Sequence, residues 1–258
     1  MLEAALWGLA GASSLLIGAV IGARVPISNR IIGLILGFGA GTLVSALAFE
    51  LTQESFQLGG ADTVALGLAL GGLAYFTGAV VIANRGGADR MGASDRDDAD
   101  ASTALLLGAM LDGIPESMVI GITVLEGGGV GVPFLLAVFL SNLPEALSSS
   151  QGMIKQGTSL GIVLRRWTIV VIASTVAAAA GYGLLKDASG DTIGLLQAFA
   201  GGAILTMLAD TMFPEAFLHA RGDPVDHRRS RSRPLIENAV GLMTTLGFAL
   251  AYLLSTLE

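Results

Sequence analysis

Eight stretches of mostly apolar residues recur along the chain, at residues 4–22, 31–51, 63–83, 102–125, 131–150, 167–185, 192–219 and 235–257. A bilayer's hydrocarbon core is about 30 Å thick and an α-helix rises about 1.5 Å per residue, so each stretch has the length of one crossing. Their apolar positions run on for about 20 residues instead of alternating over short segments, which predicts helices and not barrel strands. The first stretch has Glu3 and no basic residue before it, and no polar domain follows, so it reads as a membrane helix and not a cleaved leader. The chain is thus expected to be a single all-α membrane domain over residues 1–258. Two polar connections stand out, a hydrophilic linker at 84–101 and a basic loop at 220–234.

Charge orients this map. The loops after the first, third, fifth and seventh stretches carry thirteen of the 14 Lys and Arg residues, from Arg24 to Arg233, and the other side carries only Lys186. Basic loops stay cytoplasmic, so the linker and the basic loop are predicted inside and both termini outside. A miscounted span would have scattered the cations over both faces. The outer side instead holds Glu3, Asp62, Glu126, Asp187, Asp191 and Glu258.

Composition removes other classes. AVILMFWYC residues make up 53% of the chain and charged residues 14%, far from a soluble domain. The net charge of −7 leaves no basic face for nucleic acid. With no cysteine there is no disulfide framework or thiolate site, and two histidines, His219 and His227, leave little for a histidine-rich zinc centre. Gly33, Gly37, Gly41 and Ser45, like Gly67 and Gly71, repeat every four residues and predict close helix packing.

The chemistry lies in acids placed at bilayer depth. Asp112 and Glu116 fall mid-span in Leu-Asp-Gly-Ile-Pro-Glu-Ser, and Glu145 in Leu-Ser-Asn-Leu-Pro-Glu-Ala. Each ionised acid at the bilayer centre costs roughly 2.5–3.5 kcal/mol, so three cost about 8–10 kcal/mol. Neither span offers a Lys or Arg at that depth. Protonation, a watered cavity or a bound cation must therefore offset the cost, and each implies a polar pathway. Asp112 and Glu116, at i and i+4, share a helix face. Pro115 and Pro144 should kink their helices and release the carbonyls of Leu111 and Leu140 as further oxygen ligands.

The sequence also repeats. A shift of 29 positions lays Asp112-Gly-Ile-Pro-Glu116 on Ser141-Asn-Leu-Pro-Glu145, and a shift of 161 lays Glu54 on Glu215 and Phe38-Gly-Ala-Gly41 on Phe199-Ala-Gly-Gly202. In the charge-derived topology the members of each pair cross in opposite directions. That predicts a 3+2+3 inverted-repeat arrangement, an architecture used by secondary transporters.

These features together resemble the ZIP (Zrt/Irt-like) divalent-metal transporter family: eight spans, both termini outside, a polar third linker, paired Pro-Glu cores on spans four and five, and Asp210-Thr-Met-Phe-Pro-Glu215 on span seven. The resemblance implies a metal site of Asp112, Glu116, Ser141 and Glu145, with Asp112 and Ser141 standing where the family usually places His, or His or Gln. Asn142 would serve a second metal position. Gly113 replaces its family amide and span six carries no acid, so one principal ion site is expected. Glu50, Glu54, Asp210 and Glu215 resemble entrance and exit acids of a cation route; His219, beside them, is more simply an interfacial side chain. The resemblance further implies a multi-pass homodimer in the plasma membrane, taking up zinc, iron or manganese by alternating access, the metal being cargo with no cofactor required. An all-oxygen ligand set suits Mn²⁺, Fe²⁺ or Mg²⁺ as well as Zn²⁺.

Two other readings stay open. A divergent member could bind a metal or proton without moving it, as a sensor or partner subunit. An intramembrane hydrolase using the same acids would lack the Arg or Lys cluster that phosphate chemistry needs, so no enzymatic activity is expected.

Overall fold

The computed structural model describes residues 1–84, 98–126, 130–221 and 233–256. Among them every regular element is helical: α1 (Leu2–Arg24), α2 (Asn29–Ala46), α3 (Gln53–Ile82), α4 (Asp98–Thr123), α5 (Val132–Lys155), α6 (Leu160–Leu185), α7 (Gly190–Met207), α8 (Phe213–Arg221) and α9 (Arg233–Ser255), with a 3₁₀ turn at Val124–Glu126. Among the described residues six helical runs are long and apolar enough to cross a membrane: Leu2–Arg24, Asn29–Ile82, Leu106–Thr123, Val132–Lys155, Leu160–Leu185 and Gly190–Arg221. Ala239–Ser255 is apolar but shorter. Most of the 84–101 linker and of the 220–234 loop lies outside the described residues.

The run Asn29–Ile82 holds 54 residues, which at about 1.5 Å each is more than twice the thickness of a hydrocarbon core. It bends at Gly60, whose φ of 74° is open to glycine and strained for other residues. The sequence map ended span two at residue 51. The chain instead stays helical to the glycine, because nothing between 52 and 59 breaks an α-helix.

π-Helical turns join α2 to α3 at Leu47–Thr52 and α7 to α8 at Leu208–Met212. α4 and α5 each continue as helix on both sides of their internal proline, Pro115 and Pro144. Each proline forfeits one hydrogen bond, and the neighbouring turns hold the helix together around it. Both π turns, and the starts of α2 and α7, coincide at the displacement of 161 positions, and so do their caps: Ser28 accepts from the Ile31 N–H and Ser189 from the Thr192 N–H.

Packing divides the helices into two sets. In one, α4 lies on α6 and α1 lies on α5 and α6; in the other, α3 lies on α7 and α2 on α8 and α9; α2 against α5 and α4 against α7 join them. Ala12, Leu15, Trp167 and Val171 form the apolar centre of the first set. Glycines bring backbones together reciprocally. Gly71 meets Phe199 while Gly202 meets Leu68, Gly41 meets Thr244 while Gly247 meets Phe38, and Gly121 meets Ala178 while Gly181 meets Met118. Large apolar side chains such as Leu66, Leu73 and Phe76 on α3 and Ile172 and Val176 on α6 face outward, as a lipid solvent allows.

A methyl group at Gly202 would fall on the Leu68 carbonyl, whereas nothing lies within 4 Å of one added at Gly241. Gly202→Ala should therefore lose about 1–3 kcal/mol by forcing α3 and α7 apart, while Gly241→Ala should be neutral or slightly stabilising. Thermal unfolding in detergent compares the two; equal melting temperatures would show that the α3–α7 contact is loose.

Candidate metal site

Where the two sets meet, the interior turns polar. Asp112 and Glu116 on α4 are 7% and 1% exposed, and Ser141 and Asn142 on α5 are 2% and 6% exposed. The i, i+4 spacing on α4 puts both acids on one helix face, and the same spacing on α5 places Glu145, half-buried, one turn from Ser141.

Each group is held differently. The Tyr75 hydroxyl of α3 donates to Asp112 Oδ1 at 2.6 Å, a short, charge-assisted length. The Asn142 side chain hydrogen-bonds the Glu116 carboxyl group, and Asp112 lies one turn before it on the same helix. Glu116 Oε2 is buried with no hydrogen-bond partner. Such an orphan oxygen costs about 1–3 kcal/mol, and its acceptor capacity is directed into the protein, not into water. Ser141 spends its proton on the Val138 carbonyl at 3.0 Å, which leaves oxygen lone pairs. The Leu140 carbonyl, deprived of its N–H by Pro144, lies against Gly39 of α2, which has no side chain to cover it.

The structure brings Asp112, Glu116 and Asn142 together, with Ser141 and Glu145 on the neighbouring helix. Among the described residues no three His, Asp or Glu side chains gather as a metal-holding group, so the oxygens present come from two acids, an amide and hydroxyls. Ser174 of α6 faces Gly113, its hydroxyl 3.1 Å from where a β-carbon would stand.

The four route acids are dispersed. Glu50 lies half-buried in the first π turn, and Asp210 is exposed in the second. Glu54 accepts from Gln197 Nε2 of α7 at 2.9 Å. Glu215 is half-buried on α8, one turn before His219. His219 Nδ1 meets the Glu215 carbonyl at 3.0 Å and Nε2 meets Ser148 Oγ of α5 at 3.1 Å. A carbonyl only accepts, so Nδ1 carries a proton and a neutral ring accepts the Ser148 hydroxyl at Nε2.

Sequence reasoning missed Tyr75, Ser148, Ser149 and Gln197. A tyrosine in an apolar span and the run Ser148-Ser149-Ser150-Gln151 were visible signals. Ser149 Oγ, one turn beyond Glu145, is buried without a partner, and Trp167 Nε1 donates to Ser150 at 2.8 Å. Gln151 holds both the N–H and the carbonyl of Ile27, fixing the α1–α2 connection to α5.

Because Glu116 holds an unsatisfied oxygen, Glu116→Met should raise the melting temperature of the metal-free protein, by about 1–3 kcal/mol in stability. Wild type should gain stability with added Zn²⁺ and the variant should not. A destabilised metal-free Glu116→Met would show that the carboxylate serves packing.

A protein of Arabidopsis thaliana provisionally named a zinc transporter is 27% identical to this chain over 232 residues, which cover 84% of the chain and 35% of the relative. The chain thus spans about a third of that relative's length. No family model matches the chain.

Proposed function

We propose that this chain is a ZIP-like carrier of divalent metal cations, moving them toward the cytoplasm across the plasma membrane. The observation that carries the reading is Glu116 Oε2, a buried carboxylate oxygen without a partner, beside Asp112 and Asn142 at the junction of the two helix sets. A cation entering there would replace the missing donor, and the site's acids, amide and hydroxyls would replace its water. The plant relative's name supports metal transport in general and zinc as one cargo.

In this reading the 54-residue run is two spans hinged at Gly60, and α9 is the eighth span. Eight spans with basic loops inside leave both termini outside. The matched caps and π turns support a 3+2+3 inverted repeat, and the two packing sets support a block of α1, α4, α5 and α6 moving against the rest in alternating access. Movement of α5 would bring Glu145 to the ion bound by Asp112 and Glu116, with Ser141 and Asn142 adding neutral oxygens. Glu50 and Glu54 would gather ions outside, while Asp210 and Glu215 would release them inside, in a homodimer. Protons compete for the same carboxylates, so uptake weakens as the pH falls.

One observation favours a second reading, a metal or proton binder without flux: no three acids converge among the described residues. Proteoliposomes separate the two. Zn²⁺ and Mn²⁺ uptake should fall at least about tenfold in Glu116→Gln and in Glu145→Ala, in line with the loss of a ligand-orienting group. Uptake equal to wild type in both variants overturns the site; Zn²⁺ binding without any uptake selects the second reading.

A further inference from the structure

Tyr75 is 2% exposed and sits on α3, in the set opposite to α4. It belongs to the main cluster of buried apolar residues. Its hydroxyl reaches across the junction to Asp112 Oδ1 at 2.6 Å and lies 3.5 Å from Thr211 Oγ1 in the second π turn. A carboxylate is acceptor-only when ionised, so a donor fixed on Oδ1 sets the rotation of the group and with it the direction of its second oxygen.

We propose that Tyr75 is a positioning residue for the cation: its hydroxyl, held by α3, fixes the Asp112 carboxylate so that the second oxygen faces the ion shared with Glu116. This rests on the metal-carrier reading above. Tyr75 touches the ligand and not the ion. A partner of this kind commonly changes metal affinity by tenfold or more, while the fold survives its loss.

Tyr75→Phe keeps the ring and removes only the hydroxyl. Zn²⁺ uptake by the full chain in proteoliposomes should show a half-saturating concentration raised about tenfold, with the maximum rate per folded protein changed less than about twofold. Equilibrium Zn²⁺ binding to the detergent-purified protein should show the same rise, and this second measurement reads the effect even without flux. A half-saturating concentration and a binding constant within about twofold of wild type overturn the proposal. So does a lowered maximum rate at unchanged affinity, which is the mark of a structural role. Glu116→Gln in the same series separates the failures: if it matches wild type, the carrier reading falls, and if it loses uptake while Tyr75→Phe keeps wild-type affinity, only the role of Tyr75 falls.

Discussion

Burying a carboxylate in an apolar bundle is the constraint around which this molecule is arranged. Glu116 is sealed from solvent at the junction of two helix sets, with an amide on one side, a second acid nearby and one oxygen left over. Apolar packing would be more stable at that position. Asn142 hydrogen-bonds that group, and Tyr75 donates to its neighbour Asp112 one turn away.

Those supports come from different places in the chain. Asp112 and Glu116 share one helix face by spacing alone, whereas Tyr75 arrives from α3 and Asn142 from α5. The α3–α7 and α2–α9 pairs are zipped by reciprocal glycines, which gives them close backbone contact with little side-chain freedom to lose. A rigid pair of this sort is a suitable base for a hydroxyl that must reach one oxygen of one acid. On the other side of the junction, His219 and Ser148 link α8 to α5, so both central helices are tied to the opposite set by side-chain hydrogen bonds.

Much of this was legible in the sequence because a bilayer demands long apolar runs and makes every internal acid conspicuous. The helical class, the helices that carry the acids and the 161-position repeat follow from residue order. The small-residue stripes at Gly41 and Gly67–Gly71 lie where the backbones touch. What was not legible depended on three dimensions. A proline shows where a carbonyl loses its N–H, but that α4 and α5 stay helical past Pro115 and Pro144 depends on the turns around them. The π turns have no residue signature, since they arise where one extra residue fits the ladder. Tyr75 could not be joined to Asp112 by any spacing rule, because 37 residues and a change of helix separate them.

The two π turns have a geometric consequence. Each turn holds one residue more than an α-turn would, so the helix beyond it is rotated by about 100° relative to a straight continuation. Removing a single residue from Leu208–Met212 would let the ladder close into ordinary α-helix and swing α8 about its own axis, carrying His219 off the Ser148 hydroxyl. The matching change in Leu47–Thr52 would turn Glu54 away from Gln197. The direction in which these side chains point is therefore set by an inserted residue one turn or more away, and the two halves of the chain carry that insertion at the same address.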